Sequence, residues 1–185
     1  MGGNRCSETK PFGFQAFYPG PGVGGHCIPI DPNYLSYAVR TLGYQFRFVK
    51  LAQEVSGRMP AYVAARIQQL LNARRKPVNG STVLLLGVTY KANISDERET
   101  PARSLVQRLK AMGADVRFYD PHVERSEVDG EALPQVDDLN AAIASADVTV
   151  LLQPHSLILE AADFSVADAI LDTRGKLEGV NVERL

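Results

Sequence analysis

Tryptophan is absent from this chain, and cysteine occurs only at Cys6 and Cys27. Two cysteines cannot build the disulfide framework of a small secreted domain, and this pair has no zinc-ligand spacing. The expectation is a reducing, cytoplasmic compartment and no metal. No apolar run approaches the roughly 20 residues of a membrane span. The opening Met1-Gly2-Gly3-Asn4-Arg5 lacks the apolar core of a signal peptide, so no membrane partner is expected. An excess of one charge is missing too. Lys and Arg number 20 against 21 Asp and Glu, which leaves no electrostatic footprint for nucleic acid. Internal repeats and low-complexity tracts are also lacking. At 185 residues the chain can bury one good core, or one domain plus a sizeable appendage.

What is there is concentrated in one stretch, Tyr18-Pro19-Gly20-Pro21-Gly22-Val23-Gly24-Gly25-His26-Cys27-Ile28-Pro29-Ile30-Asp31-Pro32. Glycine lets the backbone bend sharply and bring its N–H groups close to a ligand, and the flanking prolines stiffen the turn. A glycine bed followed by a thiol can hold a substrate against a nucleophile. The same residues can also form a tight turn around a buried, inert cysteine, and spacing alone does not separate the two. Before this stretch Phe12, Phe14 and Phe17 sit among Gly and Pro, an aromatic surface that needs something to pack on. Cys6 falls in a polar start and carries no assigned role.

Helical periodicity begins at Asn33 and stops at Gly43. A second helical stretch over 48–73 carries a broad apolar stripe including Leu51, Val55, Tyr62, Val63, Ile67, Leu70 and Leu71. Gly57 and Pro60 interrupt it, which predicts a kink or two consecutive helices. The break at Pro77-Val78-Asn79-Gly80 divides the chain into residues 1–76, the cysteine loop and a helical region, and residues 77–185. The second part opens with Thr82-Val83-Leu84-Leu85-Leu86, an apolar run typical of a strand buried on both faces. Strands over 115–119, 148–152 and 169–172 alternate with helices over 101–112, 137–144 and 157–161. The fold class expected is α/β, a doubly wound parallel sheet preceded by a helical region.

Ligands bind such sheets at the carboxyl ends of the strands. That rule selects Tyr90, Lys91 and Arg98 after the first strand, Asp120 after the second, and Arg174 after the fourth. The loop Gly87-Val88-Thr89-Tyr90-Lys91 lacks the glycine fingerprint of a dinucleotide site where that fingerprint belongs. A lysine and two arginines stand there instead, the donors a phosphate-bearing ligand needs. His26 beside Cys27 does not make a hydrolase pair, because adjacent side chains of an extended loop point apart.

With the cysteine loop, these residues resemble the UDP-glucose/GDP-mannose dehydrogenase family. The motifs are Lys10-Pro11-Phe12-Gly13-Phe14, the stretch from Phe17 to Pro32, Leu86-Gly87-Val88-Thr89-Tyr90-Lys91, Asp96-Glu97-Arg98-Glu99-Thr100-Pro101, Tyr119-Asp120-Pro121 and Asp172-Thr173-Arg174. The resemblance is strongest to the branch that oxidises UDP-N-acetylhexosamines, N-acetylmannosamine or N-acetylglucosamine, at C6. It implies that Cys27 is the nucleophile and that Asp31 handles water and protons. It implies that Tyr18, Gly20, Gly22, Val23, Gly24, Tyr90, Lys91 and Arg174 contact the UDP-sugar, and that Arg98 reaches NAD. Ile30 stands where the UDP-glucose enzymes carry lysine, and His26 where they carry serine; neither gives the epimer. The resemblance further implies a Rossmann-like UDP-binding domain and a homodimer through the central helix.

The family's NAD-binding domain is not among these 185 residues. The chain therefore reads as a C-terminal part, whether a truncated product, an excised piece or one half of a split enzyme with a separate NAD-binding half as partner. It is expected to be inactive alone. The alternative is a non-catalytic UDP-sugar-binding or dimerisation module. A flavodoxin-like receiver would cover only 80–177 and leave the cysteine loop unexplained.

Overall fold

A computed structural model describes residues 18–185. Phe12, Phe14, Phe17, Cys6 and the Lys10-to-Phe14 motif lie outside the described residues. Helix α1 spans Asp31–Thr41. It starts two residues before the sequence pattern does, because the amides of Ile30 and Asp31 both donate to the carbonyl of Cys27 and turn the cysteine loop directly into the helix. Asp31 in the first turn complements the helix dipole, and Pro32 occupies a position where no N–H is needed. No residue of α1 is buried.

Helix α2, Arg47–Ala73, is a single element of 27 residues with Pro60 inside it, not two helices. Pro60 has no N–H to give, so the carbonyl of Ser56 lacks its usual intrahelical partner. The C-terminal half is held by packing: Val63, Ala64, Ile67, Leu70 and Leu71 are buried in the main core. In the N-terminal half Phe48, Leu51 and Val55 are exposed, while Gln53 donates to the Pro29 carbonyl of the cysteine loop at 3.2 Å. One apolar stripe thus serves two surfaces, and among the described residues only its second half enters a core. Lys76, just beyond α2, donates to Asp147 at 2.7 Å and Asp168 at 3.4 Å, fixing the helix end beneath the sheet. Lys76 also holds the Asp147 carboxyl below the usual carboxylate range, against the opposing push of burial.

The rest of the chain runs β1 (Thr82–Leu86), α3 (Pro101–Ala111), β2 (Asp115–Tyr119), β3 (Glu127–Val128), β4 (Glu131–Ala132), α4 (Leu139–Ser145), β5 (Val148–Leu151), α5 (Ser156–Ala161), a 3-10 turn, β6 (Ile170–Asp172) and β7 (Val182–Arg184). Five strands form one parallel sheet in the order β2-β1-β5-β6-β7, with Val83 paired to both Val116 and Val148. Alternation along β1 sends Val83 and Leu85 into the core shared with α2 and α3. Leu84 and Leu86 point into the opposite core with Ile143 of α4 and Ile158 of α5. Helices therefore cover both faces, as a doubly wound parallel sheet requires. The strand order reverses between β1 and β5, the position beside which ligands of such sheets characteristically bind.

Two elements exceed the sequence expectation. The β3–β4 hairpin turns at Asp129 and Gly130, both with positive φ, and β7 adds a fifth strand beside β6.

Candidate functional site

The chain leaves β1 through Gly87, at φ +78°, where a β-carbon would lie 2.6 Å from Cβ of Gln153 and 2.8 Å from its carbonyl. Only glycine lets the β1 and β5 loops come this close. The loop that follows is pinned from beneath. Asp120, buried at the end of β2, accepts the amides of Val88 (2.8 Å) and His122 (2.9 Å) and faces Nε2 of His155 at 3.1 Å. Burial alone would raise the Asp120 carboxyl. The bonds from His155 and the two amides outweigh it and hold the group below its ordinary value. Nδ1 of His155 accepts the amide of Asn93 at 2.9 Å, so the ring's proton sits on Nε2. Sequence reading singled out Asp120 but missed His155. The signal was available, since His155 follows β5 just as Asp120 follows β2.

Arg174 leaves β6 on a turn built by Asp172. Its Nε donates to the carbonyl of Leu152 at 2.7 Å, and its amide donates to Asp172 at 2.8 Å. Burial pushes its guanidinium below the ordinary arginine value, partly offset by the Asp172 charge. The terminal nitrogens have no protein hydrogen-bond partner among the described residues. This is a half-buried cation with donors to spare.

The glycine loop lies across these strand-end loops. A β-carbon on Gly20 would meet Nη1 of Arg174 at 2.6 Å, and one on Gly24 would meet Cβ of Tyr90 at 2.6 Å and the carbonyl of Glu99 at 2.7 Å. The amide of Gly25 donates to the carbonyl of Arg98 at 3.0 Å. The Tyr18 ring has Lys176 Nζ 5.7 Å from its centroid, a cation–π approach. The glycine bed and the β1 and β6 loops, distant in sequence, are thus one assembly. Cys27 is exposed, not buried. It shares a depression of about 470 Å³ with Asp31, Leu35, Phe46 and Val49. A larger cleft of about 860 Å³ lies between the loop and α2, lined by His26, Ile30, Gln53, Ser56, Arg98 and Pro101 among others. Val23 and Lys91 are exposed, and Lys91 and Arg174 line neither cleft.

Arg98 is exposed and bonded through Nε and Nη2 to Asp96, whose carboxyl it holds down to about 2. Asp96 in turn raises the Arg98 guanidinium, with smaller contributions from Tyr90 and Cys27. Arg98 is the residue that the family resemblance assigns to NAD. The loop after β1 is closed by Asp120 and His155, and α3 begins only at Pro101, so no helix N-terminus stands behind that loop to receive a pyrophosphate. These residues do not form a dinucleotide cradle. Among the described residues, no group of three or more His, Cys, Asp or Glu is placed to hold a metal, and no helix is long and apolar enough to cross a membrane.

The docking of the glycine bed is directly testable. Gly24→Ala should lift the loop, because both close neighbours of the new methyl are backbone or Cβ atoms that cannot swing away. Limited proteolysis within residues 18–30 is expected to rise several-fold over wild type. Gly57→Ala is the control. It has nothing within 4 Å and should stabilise α2 by about 0.5–1 kcal/mol. Unchanged proteolysis of the Gly24 variant would mean that the loop does not rest on Tyr90 and Glu99.

Fold and contacts together define a Rossmann-like α/β unit with a thiol-bearing glycine loop laid across its strand ends. Residues 84–179 match the UDP binding domain, and residues 4–57 the central domain, of the UDP-glucose/GDP-mannose dehydrogenase family. The chain belongs to that family. It is 33% identical over 139 residues to a UDP-N-acetyl-D-mannosamine dehydrogenase of Methanococcus maripaludis, covering 75% of this chain and 30% of the relative. It is 36% identical over 162 residues to an NDP-N-acetyl-D-galactosaminuronic acid dehydrogenase of Ralstonia nicotianae, covering 85% and 36%. A solved UDP-D-ManNAc dehydrogenase from Pyrococcus horikoshii superposes with a TM-score of 0.75 at 25% identity, covering 98% of this chain and 42% of that one. The chain spans about a third of the length of the curated relatives it matches.

Proposed function

We propose that this chain carries the UDP-sugar-handling part of an NAD-dependent UDP-N-acetylhexosamine 6-dehydrogenase, an oxidoreductase that takes a sugar C6 alcohol to a carboxylate. The observation that carries the reading is the seating of the thiol loop on Tyr90, Arg98 and Arg174. The loop that carries the Cys27 thiol and the cationic strand-end residues thus belong to one packed assembly, which supports the reading. Arg174, Lys91 and Tyr90 hold the nucleotide part, Arg174 by charge-assisted bonds to the diphosphate. Tyr18, Gly20, Gly22, Val23 and Gly24 line the path toward the sugar. Two NAD molecules in succession, held chiefly by a separately supplied unit and met in this chain by Arg98, would each accept one hydride, the first from the C6 alcohol to leave the aldehyde and the second from the C6 adduct described next. The chain's own work is covalent. The Cys27 thiolate adds to the C6 aldehyde to give a thiohemiacetal, whose oxidation leaves a thioester. Water directed by Asp31 attacks the thioester carbon, releasing the carboxylate and regenerating the thiolate.

The N-acetylhexosamine class rests on Ile30 and His26 and on the relatives above. Calorimetric titration of residues 1–185 with UDP-N-acetylglucosamine, UDP-N-acetylmannosamine and NAD separately is the test. Binding of a UDP-sugar without binding of NAD is the expected result, and binding of neither overturns it in favour of a structural role. NADH formation by this chain alone would overturn its dependence on a separately supplied NAD-binding unit. The exposed apolar residues of α1 and the first half of α2, Tyr34, Leu35, Phe48, Leu51 and Val55, support a homodimer through the central helix. Light scattering on the eluted chain should report one defined dimer.

A further inference from the structure

The buried histidine at the end of β5 performs no chemistry in the reaction proposed above. Its ring is 0% exposed, and both nitrogens are committed. Nε2 faces Asp120 at 3.1 Å and Thr89 Oγ1 at 3.2 Å, while Nδ1 accepts the amide of Asn93. The hydroxyl of Thr89 donates onward to the carbonyl of Lys91 at 2.8 Å. Asn93 is held at φ +61°, a conformation that L-residues adopt at a cost. It also exchanges two bonds with Ser156, giving Nδ2–H to Oγ at 3.0 Å and receiving the Ser156 amide on Oδ1 at 2.8 Å. The segment 88–93 is therefore tied at its first residue by Asp120 and at its last by His155. Tyr90 and Lys91 stand between the two ties, and Tyr90 is the surface on which Gly24 and Gly25 rest.

We infer that His155, as the neutral Nε2–H tautomer, is a positioning residue for the UDP site: it hooks the Asn93 amide and so sets the placement of Tyr90 and Lys91. This rests on the UDP-sugar reading above. Among the described residues no other acceptor for the Asn93 amide is present, so loss of the hook leaves a residue at positive φ without the bond that offsets its strain. The segment then samples other shapes, and a ligand must select the competent one at a loss of affinity.

Two near-isosteric variants separate positioning from packing. In His155→Asn the side-chain oxygen can take the place of Nδ1 and keep the Asn93 bond. In His155→Gln the amide can reach Asp120 but offers nothing to Asn93. In the full chain, His155→Gln should weaken UDP binding about tenfold, as loss of one net hydrogen bond does, while His155→Asn stays within about threefold of wild type. Equal losses in the two variants, or the reverse order, overturn the inference. Two measurements hold without UDP and without a folded variant. Nitrogen-15 spectroscopy should find Nδ1 of His155 unprotonated in wild type, and hydrogen exchange should find the Asn93 amide protected. A protonated Nδ1 or an unprotected amide overturns the hook directly. Failure of the wild-type chain to bind UDP instead overturns the reading of the site, and with it the purpose given to His155, whatever the exchange data show.

Discussion

Arg174→Ala is expected to weaken UDP binding by about a hundredfold while leaving the chain at least as stable as wild type. Removing one partner of a desolvated, charge-assisted contact typically costs about 2–5 kcal/mol of binding, and about 2.7 kcal/mol is a hundredfold in affinity. The stability half follows from the direction of the arginine's shift. Burial lowers the Arg174 value, so the fold disfavours the charged form. At neutral pH the group is charged in both folded and unfolded chains, and the penalty stands throughout the accessible range instead of being lost across a titration. It is relieved when the guanidinium is removed, and the lost bond from Nε to the Leu152 carbonyl offsets part of that relief. Arg174→Lys should fall between, since lysine keeps the charge but neither the Leu152 bond nor a fork for two phosphate oxygens. Calorimetry with UDP and a thermal melt of each variant are sufficient. Unchanged affinity in the alanine variant would place the nucleotide elsewhere.

The parallel sheet was readable because its evidence is local. Thr82 to Leu86 is apolar at nearly every position, which only a strand covered on both faces needs, and the strand–helix alternation after it fixes the class. The β3–β4 hairpin was equally local. Asp129-Gly130 is the pair that a two-residue turn with positive φ demands, but flanking strands of two residues each carry too little alternation to announce themselves. Strand β7 is weaker still, three residues whose pairing with Ile170 to Asp172 is a tertiary fact.

The site divides in the same way. The strand-end rule picked out Asp120, Tyr90, Arg98 and Arg174, because a residue's position relative to a strand is sequence information. That Gly20 lies on Arg174 and Gly24 on Tyr90 is not; those contacts join residues 154 and 66 positions apart in the chain. His155 was passed over for a different reason. Its bonds go to a carboxylate 35 positions away and a backbone amide 62 positions away, contacts that no local sequence pattern announces. The α2 stripe shows the limit of periodicity: it marks an apolar face but not what covers it. The core covers Val63 to Leu71, while among the described residues Phe48, Leu51 and Val55 are left exposed.

Asp172→Ala is expected to cost both stability and UDP affinity, which distinguishes it from Arg174→Ala. The Asp172 side chain is 0% exposed, and its two oxygens accept three backbone amides: Arg174 at 2.8 Å, Lys176 at 2.6 Å and Leu177 at 2.7 Å. A carboxylate enclosed this way acts as the template of the turn that carries Arg174 away from β6. Alanine would leave those amides with no acceptor, a loss of about 3–5 kcal/mol by analogy with breaking other buried charged contacts. For a chain of this size that corresponds to a fall of roughly 10 °C in Tm. Asp172→Asn fills the same space but keeps only one acceptor oxygen and turns an NH2 toward the remaining amides, so an intermediate melt is expected. Affinity for UDP should follow the turn. It should be lost in the alanine variant even at temperatures where the chain is still folded by circular dichroism, because Arg174 is then intact but no longer aimed. A wild-type melt with wild-type UDP affinity in Asp172→Ala would show that the turn is held by something other than this carboxylate, and the placement of Arg174 would need a different physical cause.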